Sequence, residues 1–208
     1  MTGLAAFPHI WEGSGTLGPG LLVLHGRGGT EADLVPVARL IGPGHGVLAP
    51  RGPEAQPPGW AWFAHRAIGV PVEESFDARL LELADWLEVA ALAYDIRLPM
   101  VAMGFSNGGM MAGALVAVRP DLVDRAILMA SGYALPPHLV AAGMSGRRIL
   151  ISGGTDDPFH TIEMMDAGVR SYRDAGALVD ARTYPGVGHT ITREQADDAA
   201  LWLASGIG

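Results

Sequence analysis

The chain contains no cysteine. Disulfides, thiolate metal sites and a cysteine nucleophile are therefore excluded. Basic residues are scarce: 14 Lys and Arg stand against 22 Asp and Glu, a net charge of −8 with the histidines neutral. Nucleic acid, whose phosphates call for a basic face, is an unsuitable partner. So is an anionic membrane surface. No apolar run approaches the length of a membrane span, and residues Met1 to Pro8 lack the basic segment and apolar core of a signal peptide. No histidine–carboxylate group has zinc-ligand spacing such as H-E-x-x-H, so no metal is expected. The expectation is a soluble cytoplasmic protein. Whether two copies form a homodimer is left open.

What is present is a strong alternation of apolar patterns. The 208 residues, 49% of them hydrophobic, suffice for one domain over 1–208 with a sizeable core. Leu21 to Leu24 is a continuous apolar run, as a strand buried on both faces requires. Further strands are expected at Gly46–Ala49, Met100–Met103, Arg125–Met129, Arg148–Ile151 and Ala177–Tyr184. Helices are expected at about Glu31–Ile41, Ser75–Tyr94, Asn107–Val118, Thr161–Ala175 and Arg193–Leu203. In the second helix Leu80, Leu81, Ala84, Leu87 and Ala91 make the apolar stripe. This order predicts an α/β fold with a mainly parallel central sheet covered by helices on both faces. Arg51 to Glu74 has no clear period and holds four prolines with Trp60, Trp62 and Phe63. Long loops in compact domains are often functional, so these rings are candidates for a pocket wall; the alternative is that they plug the core.

Gly104-Phe105-Ser106-Asn107-Gly108 stands between a strand pattern and a helix pattern. A nucleophile placed there sits on a very sharp turn, with its hydroxyl above the sheet and beside a helix N-terminus. Glycine two residues to either side leaves space for that turn. A serine nucleophile needs a base, and the base needs an orienting acid. In this architecture both follow later strands, in the order serine, acid, histidine. The segment Ser152 to Pro158, with Asp156 and Asp157, follows one such strand. Pro185 to Thr190, with His189, follows the next. An oxyanion hole would take the Asn107 N–H and a second N–H from the loop after the first buried strand, at Arg27 in Leu24-His25-Gly26-Arg27-Gly28-Gly29.

The set "LHGRGGTEADL", "GFSNGG", "GGTDDP" and "GVGHTI", with "WAWF" before the long helix, resembles the phospholipase/carboxylesterase family of α/β-hydrolases, which includes the acyl-protein thioesterases. The likeness runs from about Leu21 to the C-terminus. It implies an α/β-hydrolase fold, a serine esterase acting on a small-molecule acyl ester or thioester, and no cofactor. It assigns Ser106 as nucleophile, Asp157, beside Pro158, as acid, His189 as base, and Arg27 with Asn107 as oxyanion donors. Several positions depart from the family: Asn107 stands for glutamine, Gly153 for histidine, Phe159-His160-Thr161 for a valine-valine-proline run, and Ala64 for aspartate. These bear on substrate preference rather than on the triad. No insertion after Arg125–Met129 is long enough for a helical cap, so the site is expected to be open.

Short- to medium-chain acyl esters are the expected substrates, in a pocket walled by Trp60, Trp62, Phe63 and Phe159. An acyl thioesterase or lysophospholipase of the same family is an alternative. So is a non-catalytic binding protein on the same fold, although binding would not require four catalytic parts at once. A dienelactone-hydrolase relative is disfavoured, because those enzymes use cysteine. Among the other histidines, His25 is expected to be a structural hydrogen-bonder and His160 a pocket-rim or helix-start residue. His9, His45, His65 and His138 are expected on the surface. Met110 and Met111 are expected to face the core, one of them touching the pocket.

Overall fold

In the computed structural model, residues 3–13, 19–67, 70–140 and 144–206 are described. The strands are β1 (His9–Glu12), β2 (Leu21–Leu24), β3 (Val47–Pro50), β4 (Glu54–Gln56), β5 (Gly59–Ala61), β6 (His65–Ala67), β7 (Val70–Pro71), β8 (Met100–Phe105), β9 (Val123–Met129), β10 (Arg148–Gly154) and β11 (Leu178–Tyr184). The α-helices are α1 (Val35–Ile41), α2 (Glu73–Ala93), α3 (Asn107–Val118), α4 (Pro137–Val140), α5 (Ile162–Asp174) and α6 (Arg193–Ala204).

Seven strands form one sheet in the order β1-β3-β2-β8-β9-β10-β11. All pairings are parallel except that of β1 with β3. The period-2 geometry of a strand explains why the central runs are apolar throughout. Leu22 and Leu24 enter the core under α2 and α3, with Leu80, Leu87 and Leu115. Leu21 and Val23 enter the opposite core, with Val35, Ile41 and Trp202. Helix α3 lies deep in the first layer and buries all but its Met110 and Val118 positions, as its all-round apolar sequence requires. The fold is that of an α/β-hydrolase. Between β9 and β10 only the short α4 is found among the described residues, so no large cap covers the sheet. No helix among the described residues is long and apolar enough to cross a membrane.

Some expectations are corrected. In α2, Leu81 is 60% exposed, whereas Phe76, Leu83 and Trp86 are buried with Leu80, Ala84 and Leu87. One residue is 100° of helix rotation, which carries Leu81 off the stripe that Leu80 occupies. Helix α1 starts at Val35 rather than Glu31. The Thr30 hydroxyl and N–H both donate to the Asp33 carboxylate, at 2.6 and 3.1 Å, and hold the preceding residues in turns instead. Strand β1 gives no sequence signal because all four of its residues are half-buried at the sheet edge, without alternation. The stretch from Arg51 to Glu74 folds into two small antiparallel hairpins, β4–β5 and β6–β7, with residues 68 and 69 outside the described set.

Candidate active site

Strand β8 ends at Phe105 and α3 begins at Asn107, so Ser106 alone makes the turn. It does so at φ 51° and ψ −116°, a conformation that L-residues rarely adopt and that must be held by its surroundings. Four hydrogen bonds to its backbone hold it. The Ser106 N–H donates to the Met129 carbonyl at 2.9 Å. Its carbonyl accepts from the Gly109 N–H at 3.0 Å, the Met110 N–H at 3.3 Å and the Ser131 hydroxyl at 2.5 Å. The flanking glycines are sterically required. A Cβ on Gly104 would stand 2.4 Å from the Gly108 carbonyl oxygen, and one on Gly108 would stand 2.1 Å from that of Leu24.

His189 lies just after β11, and Asp157 just after β10. The His189 Nδ1 is 2.7 Å from Asp157 Oδ2. Asp157 Oδ1 accepts from the N–H groups of Phe159 and His160, at 2.9 and 3.0 Å. The Asp157 side chain is fully buried. Three N–H donors therefore converge on one carboxylate, and the hydrogen on Nδ1 leaves Nε2 as the basic nitrogen. The imidazole packs between the rings of Phe105 and Phe159, with centroids 4.7 and 5.2 Å away. Ser106 and His189 line one cavity of about 280 Å³. No hydrogen bond joins them here; such bonds commonly tighten only around bound substrate.

Arg27 and Asn107 line the same cavity. Among the described residues neither backbone N–H is used in a hydrogen bond within the chain. Both segments are braced by Trp62, just after β5, and that of Arg27 also by Gly52. The Asn107 Oδ1 accepts from the Trp62 N–H at 2.8 Å, which turns its amide nitrogen toward His65 Nε2 at 3.1 Å. The Trp62 indole N–H donates to the His25 carbonyl at 2.9 Å, and the Gly52 N–H donates to His25 Nε2 at 2.9 Å. His25 is thus a buried structural hydrogen-bonder with a fixed neutral tautomer. Burial pushes its pKa down.

Of the four rings expected at the pocket, the structure puts Phe159 on the wall, with Phe105, Met110, Tyr133 and His65. Trp62 and Phe63 are fully buried, and Trp60 packs under the Arg51 guanidinium. These three are a correction: the Trp62 and Phe63 rings fill the core beneath the site, with Phe63 stacked on His65 at 4.7 Å rather than facing the cavity, and the half-buried Trp60 lies against Arg51 instead. His65 is likewise not a surface residue. No sequence period marks it; only its position two residues past the buried Trp62-Phe63 pair could have. His9 and His45 are tied to carbonyls and to Tyr94, and His138 meets Asp77 at 3.2 Å on the surface.

His160 is 1% exposed rather than at the rim. The edge of its ring meets Tyr133, with centroids 5.1 Å apart. The Gly132 carbonyl lies toward it, yet neither ring nitrogen makes a hydrogen bond of good geometry among the described residues. Burial pushes this imidazole below its ordinary value of 6.5, and the nearby Asp157 charge opposes that only in part. As pH falls through 6.5 the unfolded chain therefore takes up a proton more readily than the native state does. The resulting stability is complete above that pH and is lost as pH falls. Urea unfolding at pH 7 and at pH 5.5 should show His160→Leu losing less stability than the parent over that interval. Equal losses would mean that His160 is protonated in the native state.

The dienelactone hydrolase family model matches residues 10–202. A Bacillus subtilis (strain 168) protein whose name reads "Putative hydrolase MhqD" is 33% identical over 205 residues, covering 96% of this chain and 98% of that protein. A carboxylesterase from Mesorhizobium loti superposes with a TM-score of 0.88 at 31% identity, over 95% of this chain and 94% of its own. The Bacillus cereus carboxylesterase superposes with a TM-score of 0.86 at 28% identity, over 97% and 95%. The lack of cysteine does not set the chain apart, as its sequence suggested, because a hydroxyl fits the same strand-to-helix turn as a thiol. With a match over nearly its whole length, the chain belongs to the dienelactone hydrolase family.

Proposed function

We propose that the protein is a serine carboxylesterase that hydrolyses short- to medium-chain acyl esters through an acyl-enzyme. One observation carries this reading. The strained Ser106 shares a cavity with an imidazole whose far nitrogen is held at 2.7 Å by a buried carboxylate. Ser106 Oγ attacks the ester carbonyl while His189 Nε2 takes its proton. The Arg27 and Asn107 N–H groups receive the developing oxyanion. The tetrahedral adduct collapses, and His189 passes the proton to the leaving alcohol. Water, deprotonated by the same nitrogen, then attacks the acyl-serine and releases the carboxylic acid. Asp157 keeps the imidazole in the right tautomer and stabilises the imidazolium.

The cavity supports a short acyl chain. Its volume of about 280 Å³ falls just below the ~300–1,000 Å³ usual for small-molecule sites. Its apolar wall is made by Phe105, Met110, Tyr133 and Phe159. Each methylene that fits should improve binding by about 0.8 kcal/mol until the rings stop it. Across p-nitrophenyl esters, kcat/KM should rise from acetyl to butyryl or hexanoyl and then fall steeply. A thioester panel should follow the same profile, with long-chain acyl-protein and phospholipid substrates poor. A palmitoyl ester turned over better than butyryl would rule out the short pocket. No turnover of any ester would rule out the esterase.

A further inference from the structure

Strand β11 is the outer edge of the sheet. On its inner side it bonds to β10 and the residues flanking it. The Leu178 N–H donates to the Arg147 carbonyl at 2.8 Å, and the Tyr184 carbonyl accepts from the Thr155 N–H at 3.0 Å. In a parallel pair alternate residues of a strand face the neighbour. Residues 178, 180, 182 and 184 therefore turn their backbone groups inward. Val179, Ala181 and Thr183 turn theirs outward. Ala181 and Thr183 are exposed. Among the described residues, the one hydrogen bond to the outward backbone of this edge is a long contact, 3.4 Å, from the exposed Arg173 guanidinium to the Val179 carbonyl.

The side chains of the inward-bonding residues share the face toward α6. There Arg182 pairs with Asp180 at 2.8 Å and with Asp198 at 3.4 Å. Beside them Leu178 and Leu201, 62% and 69% exposed, line a groove along the same edge. An exposed edge strand is a template for another strand, and charge on it normally discourages pairing. On β11, however, the charges alternate in a self-complementary way.

We infer that β11 pairs antiparallel with β11 of a second copy of this chain, about a two-fold axis through Ala181. That register sets Ala181 opposite Ala181 and Val179 opposite Thr183, so the outward N–H and C=O groups meet their partners. It also sets Asp180 opposite Arg182 of the second copy, twice. These two are non-hydrogen-bonded pairs, the positions where cross-strand side chains come closest. The neighbouring two-fold registers are disfavoured. An axis at residue 180 would set Asp180 against itself, and one at residue 182 would set Arg182 against itself. The small side chain of Ala181 holds nothing apart at the axis. The interface is isologous, as a closed dimer needs, and it brings the exposed Leu178 and Leu201 under cover.

Sedimentation of the full chain tests this independently of any ester hydrolysis. The parent should be a dimer at micromolar concentration. Asp180→Arg and Arg182→Asp should each weaken the dimer roughly tenfold or more, by placing like charges opposite one another. The double variant, with the two charges exchanged, should recover it. Ala181→Pro removes only an outward-facing N–H, which an edge strand tolerates, and should give a folded monomer by circular dichroism. A monomeric parent overturns the inference. So does a dimer that survives both Ala181→Pro and the single charge reversals, or a double variant no better than the singles.

Discussion

Ser106→Ala should lower ester turnover by a factor on the order of 10⁶ while leaving the fold intact, by analogy with other serine triads stripped of their nucleophile. The change removes one oxygen. The bonds that hold the turn run to the Ser106 backbone N–H and carbonyl, so alanine keeps all four. Alanine bears the same Cβ and therefore the same strain at φ 51°. Thermal unfolding should be close to that of the parent. What is lost is the atom proposed to form the acyl bond, for which water is a poor substitute. A fluorophosphonate probe gives the matching covalent test. It should label the parent once, at Ser106, and leave the alanine variant unlabelled. A variant that retained more than a small fraction of the parental rate would sink the triad mechanism. A parent that neither took the label nor cleaved any ester would make the protein a binder on a hydrolase fold.

The parts of this site that the sequence discloses are those whose chemistry is local. Gly104 and Gly108 flank Ser106 because backbone oxygens occupy the space a Cβ would need, and that leaves a pattern in the residues themselves. The buried strands disclose themselves because both of their faces are apolar. The placement of Trp62 and Phe63 depends instead on long-range packing. Their rings have the same composition whether they wall a cavity or fill the core beneath it. The outcome is set by Trp62 bonding to His25 and Asn107, 37 and 45 residues away in sequence. His65 is invisible for the same reason: it reaches the cavity only because Asn107 and Phe63 hold its ring. His160 reads as a polar residue near a loop, and nothing in its neighbours forecasts an imidazole buried without hydrogen-bonded ring nitrogens. Strand β1 and the small hairpins around residues 54–71 are edge features, half-exposed and short, with too few residues to establish a period.

The two adjacent aspartates can be told apart by turnover. Asp157→Asn should lower it by about 10⁴, the scale on which a triad acid converted to an amide loses activity. The geometry gives the reason. Asp157 Oδ1 is already engaged by two backbone N–H groups, which an amide oxygen can still satisfy. The amide nitrogen of asparagine would then be forced toward His189 Nδ1, where the carboxylate oxygen stands at 2.7 Å. An N–H at that position can only donate, so Nδ1 must accept and the ring proton moves to Nε2. The nitrogen that should take the serine proton is then already protonated. Asp156 has no such connection. Its carboxylate accepts from the Thr155 hydroxyl at 2.8 Å, and its backbone N–H donates to the Val187 carbonyl at 3.0 Å. Asp156→Asn keeps an oxygen for Thr155 and leaves the backbone bond untouched, so turnover should fall by less than about tenfold. Steady-state kinetics on p-nitrophenyl butyrate, with both variants at matched pH, reads the difference directly. If Asp156→Asn were the crippled enzyme and Asp157→Asn the active one, the acid of the triad would have to be reassigned. If both kept near-parental rates, His189 would need no carboxylate, and the buried Asp157 would be left a purely structural anchor for the loop that carries Phe159 and His160.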